Sequence, residues 1–278
     1  MSYKTILLHL TDEKRVPQLI ETAADIAKRN GAHVIAVYAM PPVVTYDVTG
    51  FGASYVEMGM KTFRDEAKRI RAAYDHAMQN RSFTAEFRLA DSGAVSVADT
   101  VLEHARAADL IIAGQRDPAS DFGLMLDVPD QLAMDAGRPV LMLPKSGSFT
   151  GFGKNITLAW NGRRESARAA FDALPFLKAA NKVRILWVNP GKEAADVGQV
   201  PAAELATSLA RHGVKAEATS IDGGVSDIGQ FFRSEMIEQN SDLLVMGAYG
   251  HSRIREFVFG GTTRDILLNA TTPVLLSH

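Results

Sequence analysis

Apolar residues occur in two patterns along this chain: in short continuous runs, and in longer segments where they recur every three or four positions. Short runs predict buried strands, and the longer spacing predicts amphipathic helices. In the second half the pattern predicts strands at 155–160, 183–189, 214–221, 242–247 and 273–277, and helices at 164–181, 201–213, 225–240 and 262–270. Strands that alternate with helices require right-handed crossovers, so we expect a mostly parallel sheet covered on both faces.

The two halves of the chain repeat each other. The segment that starts at Lys4 matches the one that starts at Lys154, and the segment that starts at Ala108 matches the one that starts at Ser241. The first offset is about 150 residues and the second about 133, so the first half contains about 17 additional residues. Connections between elements are usually short, and we therefore place these residues in an insertion at 41–60.

The repeat predicts two domains. A Gly- and Ser-rich linker at 144–154 separates a first domain at 1–146 from a second domain at 153–278. Each is predicted to be α/β and Rossmann-like, with an open, mostly parallel five-stranded sheet and helices on both faces. We expect the two domains to pack on each other as a pseudo-dimer, and a homodimer of the whole chain stays open.

Composition argues against several classes of protein. A net charge of -2 gives no general basic field, so we expect neither nucleic acid nor an anionic membrane as a partner. The chain has no cysteine, which excludes disulfides and thiolate metal sites, and its histidines lack the spacing of a metal motif. No apolar run has the length of a membrane span and the first residues lack a signal-peptide pattern, so we expect a cytoplasmic protein.

Glycines follow the fourth predicted strand of the second half. Gly247 and Gly250 come directly after the strand, and Gly260 and Gly261 precede Thr262 and Thr263 at the start of a helix. Glycines at a strand end let the backbone approach a ligand, and the helix N-terminus favours a phosphate. A structural turn is the alternative for each glycine alone, but the spacing of the set favours a ligand. The Gly-rich motifs of P-loop NTPases and of dinucleotide-binding domains do not occur.

This spacing of glycines, in a repeated five-stranded α/β unit, resembles the universal stress protein family, specifically its tandem two-domain members. The resemblance covers nearly the whole chain apart from 41–60, and it implies an adenine nucleotide alpha hydrolase-like fold. In that family a Ser or Thr follows the third glycine, whereas this chain has Gly261 there. An aspartate that holds adenosine is replaced by Asn161, which keeps an acceptor but loses the charge.

The resemblance implies a site in the second half for ATP or another adenine nucleotide, with or without Mg²⁺. His251 and Arg253 fit this site and a solvated helical face equally well. The implied nucleotide-binding residues are Ala159, Asn161, Val188, Met246, Gly247, Gly250, His251, Arg253, Gly260, Gly261, Thr262 and Thr263.

The first half departs from this pattern. Gly114 is kept, but Asp117 replaces the second glycine and Leu126-Asp127 replaces the third. The carboxylates of Asp117, Asp121, Asp127 and Asp130 would repel a phosphate placed there, so we expect a degenerate nucleotide site. Thr11 and Asp12 occupy the place of the adenosine-binding acid.

Three functions follow as hypotheses. The first is a nucleotide-binding protein of stress response or signalling; the second is a slow ATPase or a nucleotidyl-transfer enzyme; the third is an adaptor that binds no nucleotide. We expect weak ATP hydrolysis at most, because we identify no catalytic residues beside the glycines. Whether 41–60 is a lid, a partner-binding arm or a disordered loop stays open.

Overall fold

The computed structural model describes residues 2–43, 52–79, 81, 83–93, 95–116, 128–189, 202–221, 224–248 and 261–278. The first half contains β1 (Thr5–His9), a 3-10 helix (Glu13–Arg15), α1 (Val16–Asn30), β2 (His33–Met40), α2 (Gly52–Met78), β3 (Ala85–Asp91), α3 (Val97–Ala105), β4 (Leu110–Gly114), α4 (Val128–Asp135) and β5 (Val140–Leu143).

The second half contains β6 (Asn155–Trp160), α5 (Arg164–Asp172), α6 (Leu174–Leu177), β7 (Lys182–Val188), α7 (Ala203–Arg211), β8 (Ala216–Ile221), α8 (Ile228–Glu238), β9 (Leu243–Gly247), α9 (Gly261–Asn269) and β10 (Val274–Ser277). All five strands predicted there are present. The predicted helix at 164–181 is divided in two at Ala173, because Pro175 lies in the first turn of α6 and cannot continue a helix.

All ten strands form one sheet in the order β3-β2-β1-β4-β5-β10-β9-β6-β7-β8. Neighbouring strands are parallel except β5 and β10, which pair antiparallel, for example Leu141 with Leu275. The predicted fold class, two tandem mostly parallel α/β units, is confirmed. The halves therefore meet strand to strand, and the carboxyl ends of their strands point in opposite directions.

One continuous core covers one face of the sheet across both halves and includes Leu8, Leu158 and residues of α1 and α5. On the other face each half has its own cluster, under α3 and α4 in the first half and under α8 and α9 in the second. The Tyr3 hydroxyl donates a hydrogen bond to the Asp172 carbonyl at 2.7 Å and fastens the halves together on the shared face.

Helix α2 accounts for the length difference between the halves. It has 27 residues, whereas its counterpart α7 has nine. Residues 52–60 of the predicted insertion form its first turns, and Val43 packs against the helix at Gly59, where an added Cβ would lie 3.0 Å from a Val43 methyl. The rest of the insertion, 44–51, lies outside the described residues. No helix in the described ranges is both long and apolar enough to cross a membrane.

Candidate functional site

Three of the predicted residues lie together on one face of the sheet, near the carboxyl ends of β6, β7 and β9. Met246 is a buried member of the cluster under α8 and α9, and Ala159 and Val188 are half-buried and pack against that cluster. Strand β6 lies between β7 and β9. Ala159 pairs in register with Leu186 of β7 and follows the pair of Leu158 with Val245, so Met246 lies beside it on β9, while Val188 lies two residues farther along β7. The implied nucleotide site would place the aromatic base over Ala159, the smallest of these side chains, and we call this position the groove.

Helix α9 covers the same face and begins beside this groove. Ile266 and Leu267 belong to the same cluster as Met246. In the first turn, Gly261 is exposed, Thr262 is half-buried and Thr263 is buried. The N–H groups of a first helical turn have no acceptor within the helix, so they can bind an anion. The four other residues predicted on this loop, Gly250, His251, Arg253 and Gly260, lie outside the described residues, and their roles stay predictions.

Gly247 has a packing reason to be glycine. Its missing side chain would point to the opposite face of the sheet, where a Cβ would lie 2.6 Å from the carbonyl carbon of Glu165 and from the nitrogen of Ser166. The first turn of α5 therefore lies directly against Gly247. This contact accounts for the glycine without a ligand, so only the backbone of Gly247 can take part in binding from the groove side.

Asn161 follows β6 directly and is exposed. Its Oδ1 accepts a hydrogen bond from the Arg163 nitrogen at 3.1 Å, which closes a turn that leads into α5. Gly162 in this turn has a φ of 70° and lies under the Trp187 ring. One lone pair of the Asn161 oxygen is thus already used, and adenosine could be bound only through the other lone pair or through the amide nitrogen.

Glu165 is a buried acid that sequence reasoning did not identify. Its carboxylate accepts a hydrogen bond from Arg164 Nε at 2.5 Å. Burial acts to raise the pKa of the Glu165 carboxyl, but this hydrogen bond and the charges of Arg164 and His278 outweigh burial and hold it below its ordinary value. Nearby, His278 Nδ1 lies 3.0 Å from the Ala248 carbonyl, to which it donates. The carboxylate is therefore ionised, on the face of the sheet opposite the groove.

The first half fills the corresponding groove with His9, which the repeat aligns with Ala159. His9 is only 2% exposed, and its Nδ1 has no hydrogen-bond partner among the residues that the structure describes. Burial lowers the pKa of His9 to about 4, so the imidazole is neutral at pH 7. In the sheet register His9 lies between Val37 of β2 and Ala113 of β4, whereas Ala159 lies between Leu186 of β7 and Met246 of β9. A large side chain beside a small one thus replaces a small side chain beside a large one.

Arg15, which the repeat aligns with Glu165, covers the carboxyl ends of β4 and β5 on the face of the sheet opposite His9. Its guanidinium donates to the carbonyls of Gln115 at 2.9 Å, Leu143 at 3.2 Å and Pro144 at 2.8 Å, across the carboxyl ends of β4 and β5. A Cβ on Gly114 would lie 2.9 Å from the Arg15 Cζ. The strand ends that would border a ligand are thus occupied by a side chain of the protein.

Two sequence expectations for the first half meet different outcomes. Asp12 was placed where the family holds adenosine, but its Oδ1 accepts from the Arg15 nitrogen at 3.1 Å and caps the 3-10 helix. Of the acids expected to repel a phosphate, Asp117, Asp121 and Asp127 lie outside the described residues. Asp130 is half-buried in the first turn of α4.

A cavity of about 970 Å³ lies at the amino ends of β1, β2 and β3, away from these sites. It is lined by basic residues, among them Lys28 and Arg81, and by the acids Glu21 and Asp25. We assign no ligand to it, because the charges are mixed and Lys4 is already bonded to the Asn30 carbonyl at 2.8 Å. Among the residues that the structure describes, no three His, Asp or Glu side chains are placed to hold a metal ion.

Comparisons with known proteins agree with the architecture. A family model described as the universal stress protein family matches residues 2–144 and again 154–278. A universal stress protein of Synechocystis is 30% identical over 176 residues, which span 60% of this chain and 57% of that protein's length.

Two solved structures, both universal stress proteins of Archaeoglobus fulgidus, are also similar. One is 15% identical with a TM-score of 0.69 and covers 98% of this chain and 97% of its own. At this identity the likeness shows the fold alone. The other, solved in complex with dAMP, is 21% identical with a TM-score of 0.37 and covers 51% of this chain and 98% of its own.

Proposed function

The chain belongs to the universal stress protein family, and within that family we propose that its second half binds one adenine nucleotide. The nucleotide is ATP, ADP or AMP, with Mg²⁺ accompanying the polyphosphates. The protein acts in stress response or signalling rather than as a fast enzyme. The lack of cysteine fits a reducing compartment, so we place this role in the cytoplasm.

The contrast between Ala159 and His9 carries this proposal. Both residues stand at the same place on the central strand of their half, facing the helices that follow the third and fourth strands. In the second half the methyl group of Ala159 takes up little room beside Met246, and Val188 lies farther along the same face, so that both can supply apolar walls for a base. In the first half the imidazole of His9 occupies that room, and Arg15 occupies the strand ends behind it.

The helices that follow the glycine-bearing segments support the same asymmetry. α9 begins with Gly261, Thr262 and Thr263, which offer backbone N–H groups and hydroxyls to a phosphate. Its counterpart α4 begins with Val128 and Pro129, and proline has no N–H group to donate. The second half is therefore equipped for both ends of a nucleotide, and the first half for neither.

Exchanging the two residues tests the proposal. Ala159→His places in the second half the side chain that the first half carries at the aligned position, so the groove is filled, and circular dichroism checks that the variant is folded. We expect calorimetric titration to show ATP binding by the wild type and a loss of about a hundredfold or more in the variant, since a base excluded from its groove forfeits several kcal/mol.

His9→Ala is the matched control, because it changes the aligned residue without altering the second half. Its affinity and stoichiometry for ATP should equal those of the wild type. Unchanged binding by a folded Ala159→His variant would refute the placement of the nucleotide, and a wild type that binds no adenine nucleotide at millimolar concentration would refute the function.

A further inference from the structure

An ion pair joins α8 to α9 in the second half. Arg233 Nη1 of α8 pairs with Asp265 Oδ2 of α9, and the other oxygen of Asp265 accepts from Asn269 Nδ2 at 2.8 Å. Gly229 allows this approach, since a Cβ there would lie 2.9 Å from the Asp265 carboxyl carbon. Both carboxylate oxygens of Asp265 are therefore bonded, and the side chain has a fixed place beside α8.

A second ion pair holds α8 on the sheet. Arg184 of β7 pairs with Glu235 of α8, and the side chains are only 16% and 8% exposed. Buried charges of opposite sign in contact hold their elements in one register, because separating them would leave an unpaired charge away from water. From β7 through α8 to α9, the layer over the groove is thus connected by two charge contacts.

The first half uses apolar or neutral residues at the aligned places. Ile35 and Leu102 stand where the second half has Arg184 and Glu235, and Thr100 and Leu132 stand where it has Arg233 and Asp265. Leu132 is fully buried in the first-half cluster. The helices on this face therefore pack without charged residues at these places in the first half. The two ion pairs occur only in the half that is proposed to bind the nucleotide.

Asp265 creates an electrostatic problem for a phosphate. It follows Gly261 by four residues, so it lies about 6 Å along the axis from the N-terminus of α9. An unpaired carboxylate at that distance would oppose the phosphate that the first turn of α9 is suited to bind.

We propose that Arg233 is a positioning residue for the nucleotide phosphates. It neutralises Asp265 and fixes α9 against α8, so that the first turn, with Thr262 and Thr263, presents a positive end to the groove. This inference rests on the proposed function, because it concerns the same site. It goes beyond that function because it proposes that Arg233 and Asp265, which do not contact the ligand, make the site prefer nucleotides with more phosphate charge.

A series of ligands with different charge tests this role. Arg233→Met leaves Asp265 unpaired, so ATP affinity should fall about tenfold or more, AMP affinity less, and adenosine affinity by less than about twofold. Adding Asp265→Asn removes the repelling charge and should restore ATP affinity to within about threefold of the wild type. Arg71→Met, which breaks an exposed pair with Asp75 on α2, is the matched control and should change none of the three affinities.

Equal losses of ATP and adenosine in Arg233→Met would overturn the proposal, since a merely structural contact would affect every ligand alike. Unchanged ATP affinity would overturn it as well. If Arg233→Met does not fold, Asp265→Asn alone decides. The amide oxygen can still accept from Arg233, and the Asn269 amide can turn its oxygen toward the new NH2 group, so ATP affinity should be equal or higher. A fall there would contradict the role given to Arg233, whereas a wild type that binds none of the three ligands refutes the proposed function itself.

Discussion

The buried imidazole of His9 should make the stability of this protein depend on pH in a specific window. Its pKa is about 4 in the folded chain and about 6.5 when the chain is unfolded. Between these values the unfolded state binds more protons, so stability rises with pH and is lost as the pH falls. From pH 7.5 to pH 4.5 the loss from His9 amounts to about 2.5 kcal/mol, and below pH 4 it approaches a limit of about 3.4 kcal/mol.

Urea unfolding followed by circular dichroism at several pH values measures this dependence. Other groups titrate in the same range, so the useful quantity is the difference between the wild type and His9→Leu, which replaces the imidazole with an apolar side chain. As the pH is lowered, we expect the free energy of unfolding to fall less steeply in the variant than in the wild type. Between pH 7.5 and 4.5 the wild type should lose about 2.5 kcal/mol more than the variant. Parallel curves would show that burial does not hold His9 neutral, and the account of the filled first-half groove would lose its main support.

Three further predictions follow from the packing of the two halves. Arg15→Met should lower the free energy of unfolding by about 2 to 4 kcal/mol, because three buried hydrogen bonds from the guanidinium to carbonyls at the strand ends are lost, and chemical denaturation measures it. Gly247→Ala should lower the melting temperature more than Gly114→Ala, since the new Cβ would meet the backbone of α5 in one case and a movable Arg15 side chain in the other; equal shifts in calorimetry would contradict this. ATP turnover by the wild type should lie far below the enzyme range of about 1 to 1,000 per second, and rates within that range in a purified sample would favour the enzyme hypothesis.

Hydrophobic pattern and repeat were sufficient to predict the fold. Four of the five predicted strands of the second half contain a run of apolar residues, such as 243–246, and the fifth, at 214–221, forms the edge strand β8. Strands that alternate with helices can be connected in only a few ways. The break between α5 and α6 could also have been placed from Pro175. What the pattern could not show is that the additional residues of the first half lengthen α2, because a helix that extends beyond the sheet needs no new apolar run.

The candidate site was predictable only in part. Ala159, Val188 and Met246 lie on three neighbouring strands. Their side chains share a face because side chains alternate along each strand and the strands are in register, and the resemblance indicated which strands border the nucleotide. The occupant of the first-half groove was missed, although the aligned repeat places His9 opposite Ala159 and could have identified it. The carbonyl groups that accept from the Arg15 guanidinium, by contrast, lie 100 to 129 residues away along the chain, and no local pattern reveals them.

Stoichiometry tests the central claim most directly. Native mass spectrometry of the wild-type chain with ATP, ADP or AMP counts the nucleotides bound to each chain without assuming which half binds them. The account predicts one adenine nucleotide per chain in the wild type and in His9→Ala, and none in a folded Ala159→His variant. Two nucleotides per wild-type chain, or one that persists in Ala159→His, would contradict it.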